Sequence, residues 1–240
     1  MTSKATTGMT LATGVATAAM AAVDDALTTL KTYDWGADPK TLQPIEDAIV
    51  ATHDDAAARK ALEKGLADAL AGGLSRSAQD YVCRRLRVIG TAQSVPALAA
   101  LLADEKTSHI ARFALERIPD EAAADALRDA LPKVSDKLKP GMIGSLGTRR
   151  DQNSIKAIAK YLGDSDILIA QAAAQSLGLI GTPAAAEELG AFAKNAPANM
   201  KMPVADARLT CAERLLADGN KADAVTVYQA LRGSDQPTSV

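Results

Sequence analysis

The sequence predicts an all-α fold, an α-solenoid in which antiparallel helix pairs stack into a right-handed superhelix. Three observations carry that prediction. The stretch Leu86-Arg87-Val88-Ile89-Gly90-Thr91 returns in shortened form as Ser145-Leu146-Gly147-Thr148 and as Leu179-Ile180-Gly181-Thr182. Aliphatic residues keep register around each copy. The 240 residues are also 48% hydrophobic but only 3% aromatic, so the core must be built from Ala, Leu, Ile and Val. That composition suits helices of high propensity packed closely and leaves little material for a large sheet.

The register can be checked column by column. With Gly90, Pro119, Gly147 and Gly181 as equivalent turn positions, the spacings are 29, 28 and 34 residues. Four positions before each turn stand Leu86, Leu115, Ile143 and Leu177; one before stand Ile89, Ile118, Leu146 and Ile180; eight after stand Leu98, Leu127, Ile155 and Leu189. All are aliphatic. An apolar stripe on each side of a turn makes every unit a helical hairpin that must bury its face against its neighbours.

Residues 1–22 have two readings. Lys4 precedes an apolar run from Leu11 to Val23, and Ala19-Met20-Ala21 has the small-x-small form of an export cleavage site, which reads as a signal peptide and an exported or periplasmic protein. A disordered Ala/Thr-rich tail on a cytoplasmic protein is the alternative, because Thr13, Gly14 and Thr17 weaken the apolar run. The run is too short for a membrane span of roughly 20 residues.

Residues 23–240 read as one array, with capping helices over 23–77, repeats over 78–231 and an open C-terminal end. Val23, Ala26, Leu27 and Leu30 mark the first helical face, which Tyr33-Asp34-Trp35-Gly36 interrupts. Trp35, the single tryptophan, reads either as a cover for the apolar end of the array, the preferred role, or as a binding anchor. Leu42, Ile45, Ile49 and Val50 form the next face; Leu62, Leu66 and Leu70 form another, ended by Gly72-Gly73. His53-Asp54-Asp55 is the one place where a histidine adjoins two carboxylates. Adjacent helical residues diverge and no further ligand is near in sequence, so capping of the following helix by Asp54 or Asp55 explains the trio better than a metal does.

The turns carry their own chemistry. Gly90, Gly147 and Gly181 suit the left-handed conformation that ends a helix, and Thr91, Thr148 and Thr182 follow as candidate N-caps. Pro96 and Pro183 fit a first helical turn. In the second unit Pro119 and Asp120 replace the Gly-Thr pair. After a loop signal over Asn195 to Pro203, Val204 to Leu216 and Ala222 to Leu231 make a last hairpin around Gly219. Gln236-Pro237-Thr238-Ser239-Val240 then reads as the entry to another helix, so either the array continues beyond Val240, in further repeats or a fused domain, or its last hairpin exposes an apolar side to a partner.

The run Gly163-Asp164-Ser165-Asp166-Ile167-Leu168-Ile169-Ala170-Gln171-Ala172-Ala173-Ala174-Gln175-Ser176-Leu177-Gly178-Leu179-Ile180-Gly181 resembles the HEAT-like repeat of the phycobilisome-lyase type, D-x-D-x-x-x-R-x-x-A-A-x-A-L-G-x-I-G. The resemblance extends over about Ala78 to Leu231. Gln171 stands where that family often has Arg, and His109 holds the same place one unit earlier, so an Asp-Arg ladder between units is incomplete. Val82-Cys83-Arg84-Arg85-Leu86-Arg87 and the run from Ser94 to Lys106 are similar to bacterial HEAT-repeat proteins, many of them exported. The resemblance implies a stacked recognition surface, with a bilin lyase-isomerase as the enzyme alternative. The repeated His-Glu pairs of HEAT-like iron hydroxylases are missing, since neither His53 nor His109 precedes Glu.

The concave face of such an array is usually lined by second helices. Arg84, Arg85 and Arg87 are assigned to one second helix and Arg112 and Arg117 to the next, as candidate partner-binding residues; Arg149 and Arg150 lie in a turn. Two readings remain, an acidic-partner patch or a solvated face paired with Asp80, Glu116 and Asp151. Cys83 and Cys211, several hairpins apart, cannot reach disulfide distance and read as buried thiols. No catalytic set, cofactor or metal site is assigned. The formal net charge of -2 gives no attraction to nucleic acid or anionic membranes. The sequence therefore points to a non-catalytic scaffold that binds a protein or peptide along its concave face.

Overall fold

A computed structural model describes residues 23–233, and among them there is no strand. The readings of residues 1–22 and of Gln236 to Val240 fall outside the described residues. The chain opens with α1 (residues 23–29), α2 (Gln43–Ala51) and α3 (Ala56–Ala71). The first helices of successive hairpins are α4 (Arg76–Ile89), α6 (Ser108–Leu115), α8 (Lys139–Thr148), α10 (Ile167–Ile180) and α12 (Lys201–Ala217). Each is followed by a second helix: α5 (Val95–Ala99), α7 (Glu121–Ala130), α9 (Ile155–Ala159), α11 (Pro183–Ala193) and α13 (Lys221–Arg232).

The first helices pack on one another in order from α4 to α12 and form one layer. In the other layer α3, α5 and α7 pack in succession, as do α9, α11 and α13. This is an α-solenoid. One continuous core runs from Ala26 to Leu231, and every residue of the three repeat columns, from Leu86 and Ile89 to Leu189, is buried in it. Burial of a Leu or Ile side chain contributes roughly 1.5–3 kcal/mol, so the periodic stripe is the main source of cohesion between units.

Local chemistry sets the helix ends. Asp55 accepts from the Ala58 amide at 2.9 Å and starts α3, which assigns the capping role within the His53-Asp54-Asp55 trio. Ser75, Asp120, Asp166 and Thr182 likewise accept amide hydrogens at the starts of α4, α7, α10 and α11. These bonds satisfy donors that a helix N-terminus leaves unpaired. Pro96 and Pro183 occupy first turns as expected.

Two of the three turn glycines differ from the expectation. Only Gly181 is left-handed, with φ 64°. Gly90 is extended at φ -65° and ψ 143°; a side chain there would place Cβ 2.3 Å from the Leu86 carbonyl oxygen and 2.9 Å from Ile118. Its requirement is space. Gly147 lies inside α8, against the Cα, Cβ and Oγ of Ser176, and the left-handed position of that turn passes to Arg150 at φ 54°. Two further expectations fail at the N-terminal end. Val50 is 76% exposed on α2, and Trp35 is 92% exposed, so Trp35 covers nothing. The core at this end instead holds Leu30, Leu42 and Ile45, which are fully buried, and Gly36 beside Trp35 is left-handed at φ 88°.

Candidate partner-binding site

The arginines assigned to second helices lie on first helices, because α4 and α6 precede their turns at Gly90 and Pro119. The structure divides them by what they touch. Arg85 is an internal tie: it pairs with Glu46 of α2 and lies 4.3 Å from the centre of the Tyr81 ring. Tyr81 donates its hydroxyl to the same Glu46 carboxylate at 2.7 Å. Burial, and then the Glu46 carboxylate, push the Tyr81 phenol well above its ordinary pKa. Arg112 is a second tie, donating to the Gly141 carbonyl at 2.9 Å and to the Ser145 hydroxyl at 3.2 Å, while Ser145 donates to Glu116 at 2.7 Å. Burial pulls its guanidinium below the usual arginine range. Both side chains hold the stack together and present little charge outward.

The remaining three are Arg84 and Arg87 on α4 and Arg117 just past the end of α6. Arg84 and Arg87 lie over the ring of Phe113, 5.5 and 4.2 Å from its centre. Arg84 also pairs with Asp80 at 2.7 Å on its own helix. The Arg87 Nε is buried without a hydrogen-bond partner, and Arg117 is exposed at the end of α6 with no ion pair among the described residues. Val88 stands beside them, 61% exposed. The α4–α6 seam thus combines an aromatic ring with cations that the fold leaves largely unspent. Phe113 escaped the sequence reading, although its place one residue after Arg112 on an amphipathic helix puts it beside α4.

Arg149 and Arg150 serve the stack in opposite directions. Arg149 donates to the carbonyls of Leu115, Ile118 and Asp120, at the C-terminal end of α6 and the entry to α7. Arg150 reaches the other way, to the Ile180 carbonyl and to Asp218. Helix C-termini carry unpaired carbonyls and partial negative charge, which cations satisfy. A polar depression of about 330 Å³ beside them is lined by Glu121, Arg149, Arg150, Asp151, Gln152 and Asn153. It is internally neutralised: Arg128 pairs with Asp151 at 2.6 Å and Glu121 at 2.8 Å, and Asn153 also donates to Glu121. Asp151, the expected surface partner of the patch arginines, is buried in this network.

A further buried carboxylate was not legible in the sequence. Glu63 of α3, 1% exposed, accepts from the Thr91 amide at 2.6 Å and from its hydroxyl at 3.0 Å. It fastens the first Ile-Gly-Thr turn, which follows α4, to α3. Cys83 and Cys211 are free and buried; burial pushes their thiols up to about 12 and about 11. Among the described residues no group of three His, Cys, Asp or Glu could hold a metal ion, and no helix is long and apolar enough to cross a membrane.

Comparison with known proteins adds the family of the repeat. Residues 134–207 match the model of HEAT repeats; the match is to the repeat in general and assigns no lyase type. A search of curated proteins found no match. Among solved structures, the crystal structure of an engineered protein is similar at 18% sequence identity and a TM-score of 0.42 over 90% of this chain, which spans 64% of the length of that protein. The hairpins inside residues 134–207 continue in the same buried register back to Leu86, and the chain carries HEAT-like repeats.

Proposed function

We propose that this chain is a non-catalytic scaffold and that a protein or peptide partner docks on the α4–α6 seam through an acidic segment. The observation that supports this reading is the Phe113 ring under Arg84 and Arg87, with Arg117 and Val88 exposed beside it. Arginine and aromatic residues supply most of the energy of protein interfaces, and an exposed cation without a partner can pair at little desolvation cost. The stacked helices hold these groups on a rigid surface, so little ordering entropy opposes binding. Arg85 and Arg112 belong to the support of this surface.

A photoreactive residue in place of Val88 tests the proposal, with the same residue in place of Ala222 on α13 as control. The expected result is a protein adduct at position 88 alone. The partner identified from it, once purified, should bind the native chain and lose at least tenfold affinity for the Arg87→Glu, Arg117→Glu double variant. Absence of a position-specific adduct, or equal binding to the charge-reversed variant, refutes the assignment.

A further inference from the structure

The last hairpin, α12 and α13, leaves one side without a neighbour among the described residues. On α12, Ala207 meets Gly178 of α10 and Arg214 meets Gly181 just past its end. Leu209 and Leu216 stand two positions further on, about 200° round the helix, so they face away from α10. Met202 joins them at heptad spacing. Met202 is 36% and Leu216 48% exposed, while Leu209 is half-buried. On α13 the open side carries Lys221, Val225, Tyr228 and Arg232, one helical face at i, i+4, i+7 and i+11. Helix handedness fixes this side. Going round α12 in the direction of the chain, the side chains face α10, then α13, then the open side. Because α13 runs antiparallel, its side chains face α11, then α12, then the open side. Val227 comes first in that order, then Ala224 and Leu231, all buried, and then the face from Lys221 to Arg232, of which only Tyr228 is half-buried.

We infer that this side is the interface of a two-fold dimer with a second copy of the chain, in which α12 of each copy lies antiparallel on α13 of the other. Charge complementarity selects that occupant. Asp206 and Glu213 flank the stripe on α12, four residues past Met202 and Leu209, and the cations Lys221 and Arg232 lie on α13. None of the four has an ion pair among the described residues. Lys201 lies past the end of α13, and Asp223 faces away from this side. Asp206 and Arg232 are each thirteen residues from Gly219, one before it and one after, so in an antiparallel hairpin they stand at the same height. A two-fold axis parallel to the helices keeps heights and exchanges the helices, which sets Asp206 of each copy opposite Arg232 of the other. Leu209 and Tyr228, ten and nine residues from Gly219, meet between them. Glu213 and Lys221 are six and two residues from Gly219, a difference of about 6 Å in height that the flexible lysine stem spans. The face is about 25 Å long and about 20 Å wide, roughly 500 Å² per copy. A total of about 1,000 Å² is at the lower limit for a specific interface, so the dimer is held at micromolar affinity. This side shares no residue with the α4–α6 seam, and the two interactions are independent.

Sedimentation equilibrium of the full chain, from low micromolar to several hundred micromolar, tests the dimer. The native chain and a Thr226→Glu control, altered on the exposed side of α13 off this face, are expected to pass from monomer to dimer with a micromolar Kd and no larger species. Leu209→Glu should stay monomeric with an unchanged far-ultraviolet circular dichroism spectrum. The exposed charges give a test that does not touch the core. Asp206→Arg and Arg232→Asp should each raise Kd at least tenfold, because each sets like charges opposite one another. The double variant Asp206→Arg, Arg232→Asp should return Kd to within about threefold of native. A monomer at every concentration, a native Kd in the single charge variants, a double variant no tighter than the single ones, or growth beyond the dimer would each overturn the inference.

Discussion

Gly144 and Gly178 occupy the same repeat position, three residues before the turn column, yet substitution by alanine is expected to act with opposite sign. An ideal Cβ on Gly144 meets nothing within 4 Å. On Gly178 it would lie 2.6 Å from the Ala207 carbonyl oxygen and 3.1 Å from the Ala207 Cα. Both glycines are inside helices, α8 and α10, where Gly→Ala is worth about 1 kcal/mol in propensity. Gly144→Ala therefore stabilises by about that amount. In Gly178→Ala the gain is opposed by overpacking, about 1–3 kcal/mol, because the obstacle is the backbone of α12 and cannot rotate away. The propensity contribution cancels between the two variants, so their difference isolates the packing cost at about 1–3 kcal/mol. Urea unfolding followed by far-ultraviolet circular dichroism measures it: the midpoint rises for Gly144→Ala and lies well below that value for Gly178→Ala. Equal upward shifts would falsify the claim that α10 and α12 are in backbone contact at this glycine.

Three other expectations follow from the same contacts. Arg149→Ala removes the donor to three carbonyls and should destabilise by about 1–3 kcal/mol in urea unfolding; recovery by Arg149→Lys to native stability would show that charge alone suffices and that the guanidinium fork is not needed. The Arg150 guanidinium holds the Asp218 carboxyl below its ordinary pKa. A group depressed in the folded state adds stability that is complete above its unfolded value, about 4, and is lost as pH falls through the folded value. In Arg150→Ala the Asp218 titration followed by NMR should move upward, and an unchanged midpoint would discount the pair. Trp35, being 92% exposed, should show the red emission of a solvated indole and full quenching by iodide; a blue-shifted, protected emission would mean that something covers it.

The fold was legible because a repeat samples the same problem several times. Leu86, Leu115, Ile143 and Leu177 each report one inward position, and all four are fully buried. Hydrophobic period alone thus determined the hairpins, their order and their core. Cap chemistry was legible for a similar reason: Asp55, Asp120 and Thr182 act on amides two or three residues away, and local interactions are written in local sequence. The candidate site was less legible. Arg84, Arg85 and Arg87 are indistinguishable as letters, but one lies in an ion pair on its own helix, one is tied to Glu46 across 39 residues, and one rests on Phe113 of the next hairpin without a hydrogen bond from its Nε.

What the tertiary structure decided was the use made of equivalent positions. Gly90 is there for close approach, Gly147 for contact with Ser176, and Gly181 for a left-handed turn, although the sequence presents them as copies. Glu63 and Thr91, or Arg149 and the carbonyls of α6, meet only because successive hairpins stack. The sequence by itself determined that hairpins exist and which faces they bury, because burial follows a period that the chain repeats. Which glycine touches a backbone and which arginine remains free depends on how far each helix has shifted against the next, a distance of a few ångströms that no local pattern encodes.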